Sequence, residues 1–394
     1  MRVRRSRGSG ELAGRDGVAR EVAGRLLASL PRRDQRAKGE RYVEGLLRVQ
    51  GRKTMRAIAA VAGGGAAEQS VHHFISKSSW DWSPVRRDLG RFVEQALVPK
   101  AWVVHPLAIP KLGRHSVGVQ ESYVASLGRM ANSQQAYGVW CVGDAASAPV
   151  DWHLLLPPGW VADGERRRRA EIPDGLAEVD ADRAVLDAVR RTVDGWVSRP
   201  RPVVVDARQI EDLVGLVDGM REAGLPFVVR IRESAPLAPA DAPSAGGERR
   251  GPGAWRIAQG ARPAALPVRW AERAPEGEPQ PLAARVPVVL RDPGRRALRT
   301  PLAMVAAWAD SQATAGELWL TNLFAASPGE VLELGRLLRR VENDMEEIGG
   351  RVGLKDFEGR CYGGWHRHVT LCSIAYAIAA LGQHRGVADE LLSA

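Results

Sequence analysis

Few residues of this 394-residue chain combine a type and a position that could do chemistry. Asp206 directly follows Val203-Val204-Val205, so the sequence predicts a buried strand that ends in a carboxylate. Glu342 borders an apolar stripe, between Leu338 and Met345, on a segment with helical spacing. An isolated acid is usually an ordinary surface residue. The two carboxylates therefore gain meaning only from the elements that position them.

The histidine and cysteine residues do not indicate a metal site or a disulfide framework. The cysteines are too widely spaced for a disulfide framework or a cysteine-based zinc site; they are Cys141, Cys361 and Cys372. Four histidines lack metal-ligand spacing to a partner acid and are interpreted as structural; they are His72, His73, His115 and His153.

The positive charge of the chain indicates the class of partner. The formal net charge is +10 and the pI is about 10.0, which favours polyanions, with nucleic acid ahead of a membrane surface. A single basic cluster such as Arg166-Arg167-Arg168-Arg169 is more often a solvated face than a binding site. No apolar stretch reaches the length of a membrane helix, and no secretory signal follows the arginine-rich start. We therefore predict a cytoplasmic protein.

The chain changes its pattern near residue 100. Residues 10–99 show apolar residues at helical spacing, and the short helices around Gly63-Gly64-Gly65 are compatible with a helix-turn-helix or a small bundle, of which the pattern favours the bundle. Five strand-like runs follow, with helices over 181–197 and 210–223 on either side of the fourth; the runs are 101–104, 136–142, 150–156, 202–206 and 226–231. This order of strands and helices is that of an RNase H-like domain.

Pro, Ala, Gly and Arg dominate residues 233–300 and interrupt this order, and helical spacing returns at Ser327-Pro328. The predicted fold class is α/β: an RNase H-like mixed sheet with flanking helices, an N-terminal all-helical domain and an inserted β-rich segment. The predicted boundaries are 1–99 for the helical domain, 100–232 for the first RNase H-like part, 233–326 for the insertion and 327–394 for the final helices.

Several short segments carry a resemblance to a known family. Near the N-terminus they are Gln35-Arg36-Ala37, Glu40-Arg41-Tyr42, Gly45-Leu46-Leu47, Phe74-Ile75-Ser76 and Ser79-Trp80-Asp81. Later they are Val103-Val104, Pro110-Lys111, Gly113, Ser116-Val117-Gly118-Val119-Gln120, Gly353-Leu354, Asp356-Phe357-Glu358-Gly359-Arg360 and Gly364-Trp365-His366-Arg367-His368-Val369-Thr370-Leu371. With these segments the chain resembles the DDE-superfamily transposases of bacterial insertion sequences, in the branch with a β-rich insertion before the final Glu.

The resemblance implies a three-carboxylate centre. In such enzymes two Asp and one Glu hold a pair of divalent ions, Mg²⁺ or Mn²⁺, that drive an in-line phosphoryl displacement. Asp206 corresponds to the second Asp and Glu342 to the Glu, so both are the implied catalytic and metal-binding residues. His105 stands at the position of the first Asp, where a neutral imidazole brings no negative charge. The site thus resembles the family but is degenerate at its first acid.

Further departures agree with a degenerate site. The family often has an Arg one helical turn before the Glu, where this chain has Leu338, and a Lys two turns after it, where this chain has Gly349. The segment after the second Asp also lacks the glycine and tyrosine that are usual in the family. We therefore expect impaired metal binding and impaired cleavage, and whether the protein is an enzyme stays undecided. Asp151 is the next candidate for the missing acid if its strand presents that face.

The resemblance implies a function and partners. The family reaction is metal-dependent DNA strand cleavage and transfer, and the implied partner is double-stranded DNA, with terminal inverted repeats as the sites and a homodimer left open. The alternative is a non-catalytic, domesticated DNA-binding or regulatory protein that keeps the transposase fold; a decayed gene product with no selected role is a third reading. The implied location is the bacterial cytoplasm, in association with the nucleoid. His366 and His368 are assigned structural or DNA-backbone roles.

Overall fold

The computed structural model describes residues 17–62, 65–124, 127–191, 200–241, 253–268, 281–291, 301–309 and 315–383. The expectations for the arginine-rich start, for Gly63 and Gly64, and for the end of the helix beyond residue 191 lie outside these ranges.

Helices make up the described part of the N-terminal region, as the sequence predicts. They are α1 over 17–26, α2 Arg33–Arg48, α3 Met55–Ala62, α4 Gly65–Ser76 and α5 Trp82–Leu97. Their apolar faces join the main core, where Leu27, Tyr42 and Leu89 are buried. Three of these helices, α2, α4 and α5, pack against the last helix of the chain, α12 Tyr362–Gly382. The boundary at residue 99 stays a prediction.

One mixed sheet organises the rest of the described chain. Its strands are β1 Ala101–Pro110, β2 Gln120–Val124, β3 Arg129–Val142, β4 Ser147–Leu154, β5 Val203–Asp206, β6 Phe227–Arg230, β7 Leu237–Pro239, β8 Leu266–Pro267, β9 Leu282–Leu290, β10 Leu302–Trp308 and β11 Glu317–Thr321. The order is β2-β3-β1-β5-β6-β11-β10-β9-β7, while β4 pairs with β3 and β8 pairs with β9. Strands β1, β5 and β6 are parallel to one another. The predicted α/β class with a mixed sheet is confirmed.

The sheet is larger than the five strands predicted. Strand β2 is half-buried or exposed over most of its length and contains several polar residues, so its sequence lacks a clear apolar alternation. Strands β9, β10 and β11 fall within the segment interpreted as an insertion, yet they extend the same sheet because β11 pairs antiparallel with β6. This pairing satisfies the backbone edge that β6 would otherwise expose. The boundaries 233–326 stay a prediction.

Further helices follow the strands along the chain. They are α6 Pro158–Val161, α7 Gly164–Arg169, α8 Ala181–Arg191, α9 Leu213–Glu222, α10 Ala254–Ala261 and α11 Pro328–Asp344. Ser327 caps α11 in a reciprocal capping box with Glu330, and Pro328 occupies its first turn, as the Ser-Pro pair predicts. A π-helical turn, Met345–Gly349, continues α11.

Helix α11 is held on the sheet by a close contact at Gly335. A Cβ atom added to Gly335 would lie within 2.4 Å of the Trp319 ring on β11. Trp319 is in register with Arg230, and Arg230 is in register with Asp206, so all three project from one face of the sheet. Helix α11 therefore lies on the face that carries Asp206. Within the described ranges, no helix has the length and apolar character that crossing a membrane requires.

Gly335→Ala should destabilise the protein, because the added methyl group cannot fit against Trp319 without moving α11. We expect a loss of about 1–3 kcal/mol, the usual effect of overpacking. The matched control is Gly350→Ala, because Gly350 is exposed and helical and its added Cβ meets no atom within 4 Å. Urea denaturation followed by tryptophan fluorescence measures both variants. Equal midpoints for the two would show that α11 does not depend on this contact.

Candidate active site at the ends of the parallel strands

The sheet brings His105 and Asp206 side by side. Val103 and Val104 of β1 pair in parallel with Val204 and Val205 of β5. His105, inside β1, and Asp206, the last residue of β5, each follow the last of these pairs by one residue, so they project from the same face. The ends of adjacent parallel strands are common places for functional residues in α/β folds.

His105 is a neutral, half-buried imidazole. Its Nδ1 lies 2.8 Å from the backbone carbonyl of Pro106, and since a carbonyl can only accept, Nδ1 carries the proton. Burial lowers the pKa of His105, while the Pro106 carbonyl and the negative charges of Glu342 and Asp206 act in the opposite direction with smaller effect. His105 therefore offers an uncharged nitrogen, Nε2, at the position where the family resemblance implies a carboxylate.

Asp206 is bound by an arginine two residues further along the chain. The Arg208 guanidinium donates from Nε to Asp206 Oδ1 at 2.9 Å and from Nη2 to Oδ2 at 2.6 Å, and the Arg208 backbone N–H also donates to Oδ1. The hydrogen bonds to Asp206 raise the pKa of Arg208, with the charges of Glu317 and Glu342 adding to the effect. Both oxygens of the Asp206 carboxylate are thus satisfied by a cation within the chain.

Glu342 and Glu317 complete the charged groups around this pair. Glu342 is exposed on α11, and its charge acts on both His105 and Arg208. Glu317 begins β11 and accepts from Arg230 at 3.2 Å, and its charge also acts on Arg208. The site therefore contains three carboxylates and two arginines on one face of the sheet.

The donors in this site do not fit a pair of divalent ions. The described ranges contain no group of three His, Cys, Asp or Glu side chains that could hold a metal. The reason lies in the donor set: His105 contributes no charge, and a metal at Asp206 would have to displace Arg208 from both oxygens. The Arg208 guanidinium thus competes with a hard cation such as Mg²⁺ for the Asp206 oxygens.

Asp151 does not supply the missing acid. His105 is in register with Gly138, and Gly138 with Trp152, so Trp152 shares the face of His105 and the neighbouring Asp151 projects from the opposite face. Its carboxylate is buried and accepts from Arg86 at 2.8 Å and from His153 at 3.0 Å. Burial alone would raise the pKa of Asp151, but His153 and Arg86 together hold it well below its usual range.

His366 and His368 lie inside the protein, where α12 meets the N-terminal helices. His368 is 1% exposed and bridges the Tyr42 hydroxyl, 2.8 Å from Nδ1, and the Gly353 carbonyl, 3.1 Å from Nε2. Burial lowers its pKa to about 4. These contacts give His368 a packing role and leave no surface for a DNA backbone.

Sequence reasoning missed Arg208 and Glu317. The sequence drew attention to the segment that contains Arg208 only because it differs from the family pattern. The signal that could have found Arg208 is its spacing, because an arginine two residues after an acid at a strand end can reach back to that acid. Glu317 carries no local signal, because only the pairing of β11 with β6 brings it beside Arg230.

Comparison with known proteins now identifies the family. The model of the DDE superfamily endonucleases matches residues 25–286, more than half of the chain. The chain belongs to this family. The match includes His105 and Asp206 and ends before Glu342. A search of curated proteins finds no match. Endonucleases of this family generally use divalent metal ions, so the donor set of this chain is at variance with the chemistry of its relatives.

The double variant His105→Asp, Arg208→Ala should gain metal binding. It adds one carboxylate beside Asp206 and removes the guanidinium that occupies both Asp206 oxygens. We expect Mn²⁺ to bind it at least about tenfold more tightly than it binds the wild type, as measured by isothermal titration calorimetry. Adding Asp206→Asn to the double variant should abolish the gain. Tight Mn²⁺ binding by the wild type that disappears with Asp206→Asn would contradict this account of the site.

Proposed function

We propose that this protein is an insertion-sequence transposase of bacterial origin that binds DNA and whose strand cleavage and transfer are impaired. Membership of the DDE superfamily endonucleases supports a transposase-like nuclease. The observation that carries the impairment is the double hydrogen bond of Arg208 to Asp206, beside a neutral His105. Two metal ions need several carboxylates with free oxygens. Of the three implied ligands, His105 is not a carboxylate and Asp206 is bound by Arg208, so Glu342 alone meets this requirement.

The same observation supports a second candidate function. A protein whose carboxylates are neutralised by its own arginines can keep the fold and the DNA surface without catalysis. We therefore carry a domesticated, non-catalytic DNA-binding or regulatory protein as the alternative. The presence of inverted repeats on both sides of the gene would favour the transposase, because a mobile element needs ends to act on.

The proposed DNA partner fits the distribution of positive charge. Exposed arginines occur on the helices of the N-terminal region and on α7; they include Arg33, Arg41, Arg56, Arg87, Arg91, Arg168 and Arg169. We assign residues 1–99 to DNA binding, residues 100–232 and 327–394 to the RNase H-like part, and residues 233–326 to the insertion. Terminal inverted repeats as the sites, a homodimer as the assembly and association with the nucleoid belong to the same proposal.

Binding to duplex DNA should depend strongly on salt, because ion pairs with phosphates release condensed counterions. Removing one arginine that binds a phosphate should lower the slope of log affinity against log salt by about one. Arg56→Ala with Arg91→Ala should therefore flatten the slope measured by fluorescence anisotropy, whereas Arg256→Ala, on α10 at the other end of the sheet, should leave it unchanged. Affinity of the wild type that stays constant between low and physiological salt would refute an electrostatic mode of binding.

The wild-type protein should show no Mg²⁺-dependent cleavage of duplex DNA that carries the ends of its own element. The expected cause is the charge of the site. It has one carboxylate fewer than the family's three, and Arg208 binds the Asp206 carboxylate. The assay is gel analysis of end-labelled DNA, with His105→Asp, Arg208→Ala as the variant in which nicking could return. Robust cleavage by the wild type that Asp206→Ala abolishes would show that the site is active as it stands.

A further inference from the structure

A polar cavity lies at the β4 edge of the sheet, away from the site of Asp206 and Glu342. It has a volume of about 420 Å³, within the range of small-molecule sites. Its walls come from the first turn of α5, from β4, from the last turn of α8 and from the first turns of α12. Strand β4 pairs with β3 alone among the described strands, so the cavity lies along its open edge. His153 projects into this region from the face opposite to His105.

The floor of the cavity is a buried ion pair that is fully satisfied. Arg86 Nη1 donates to Asp151 Oδ1 at 2.8 Å and to the Trp152 carbonyl at 3.0 Å, and both charged side chains are at most 3% exposed. His153 donates from Nε2 to the second oxygen of Asp151 at 3.0 Å. The negative charge of Asp151 is thus neutralised inside the protein, so Asp151 does not attract a cation into the cavity.

His366 presents a donor without an acceptor. Arg86 Nη2 lies 3.0 Å from His366 Nδ1, and because a guanidinium can only donate, Nδ1 must accept and Nε2 must carry the proton. His366 lines the cavity and is 3% exposed, and its Nε2 has no hydrogen-bond partner among the described residues. Buried donors in native proteins are nearly always paired, and a molecule bound in the cavity could supply the acceptor that Nε2 lacks.

Aromatic rings form one wall. The Trp82 ring stacks on the His366 imidazole, with centroids 4.6 Å apart and planes 7° apart. The Tyr362 ring meets the same imidazole edge-on at 4.4 Å. Flat apolar surfaces beside a hydrogen-bond donor suit a planar heterocycle such as a nucleobase.

Positively charged side chains lie at the opening of the cavity. The lining acid Asp187 is paired with Arg183 at 2.9 Å, and Asp151 is paired with Arg86. Arg190 and Arg191 lie exposed in the last turn of α8, and the charge of Arg191 acts on Asp151, Tyr362 and His366. Arg190 thus places a cation at the opening, and arginine suits phosphate oxygens in particular.

We propose that this cavity binds a nucleotide: its phosphate contacts Arg190, and its base lies against Trp82 and Tyr362 and accepts from His366 Nε2. The nucleotide can be free or can be the end of a DNA strand, since both present the same phosphate and base. The proposal does not depend on the function assigned to Asp206, because the two sites share no residue.

The test is isothermal titration calorimetry of the full-length protein with dAMP, with inorganic phosphate and with deoxyadenosine. We expect dAMP to bind more tightly than either fragment. Arg190→Glu should weaken dAMP binding by about tenfold or more, because it removes charge-assisted hydrogen bonds and adds a repulsion. Trp82→Leu should weaken the binding of dAMP but not of phosphate. Arg256→Glu makes the same charge change on α10 and should have no effect; since Arg190 and Arg256 are both exposed, neither change should disturb folding.

A short 5′-phosphorylated single strand distinguishes the two sources of the nucleotide. Competition between this strand and dAMP would assign the cavity to a DNA strand end, and binding of dAMP without competition would assign it to a free nucleotide. No binding of dAMP to the wild type, equal affinities for dAMP and phosphate, or equal losses of affinity with Arg190→Glu and Arg256→Glu would overturn the proposal. Each of these outcomes can occur whether or not the Asp206 site cleaves DNA.

Discussion

The parallel pairing of β1 with β5 is the constraint on which the candidate active site depends. It fixes His105 and Asp206 as neighbours although 101 positions of sequence separate them. A shift of register by one residue between the two strands would place His105 and Asp206 on opposite faces of the sheet. Helix α11 adds Glu342 to the same face because Gly335 lets it approach Trp319 closely. The site is thus a consequence of sheet register and one close helix contact.

Charge balance explains how this site can be stable without a metal. Carboxylates that share a small region repel one another and need cations to stay ionised. In relatives that use divalent ions, those ions supply the positive charge. Here Arg208 binds Asp206 and Arg230 binds Glu317, so the chain supplies the positive charge itself. A metal bound here would compete with these arginines, because each of the two carboxylates would have to release its arginine.

Helix α12 explains why residues 364–371, which carry part of the family resemblance, lie largely inside the protein. It is buried along most of its length and connects the N-terminal helices to the sheet. Tyr42 of α2 contacts His368, Arg86 of α5 donates to Thr370, and Trp152 of β4 donates to Ser373. Polar residues on such a helix must find partners within the protein, since burying an unpaired polar group is unfavourable. Helix α12 therefore holds the N-terminal helices against the sheet.

The sequence by itself determined the elements with strong local signals. These include the helical N-terminal region, the valine strand before Asp206 and the start of α11 at Ser327, because apolar periodicity and capping act over a few residues. The order of elements also indicated the RNase H-like class, and family resemblance pointed to His105, Asp206 and Glu342. Strand β2 and the joining of β9–β11 to the sheet could not be predicted, because backbone pairing between distant segments leaves weak local patterns. Only the tertiary structure showed that Arg208 occupies Asp206, that Asp151 faces away, and that His366 has a donor without a partner, since each depends on which side chains burial brings together.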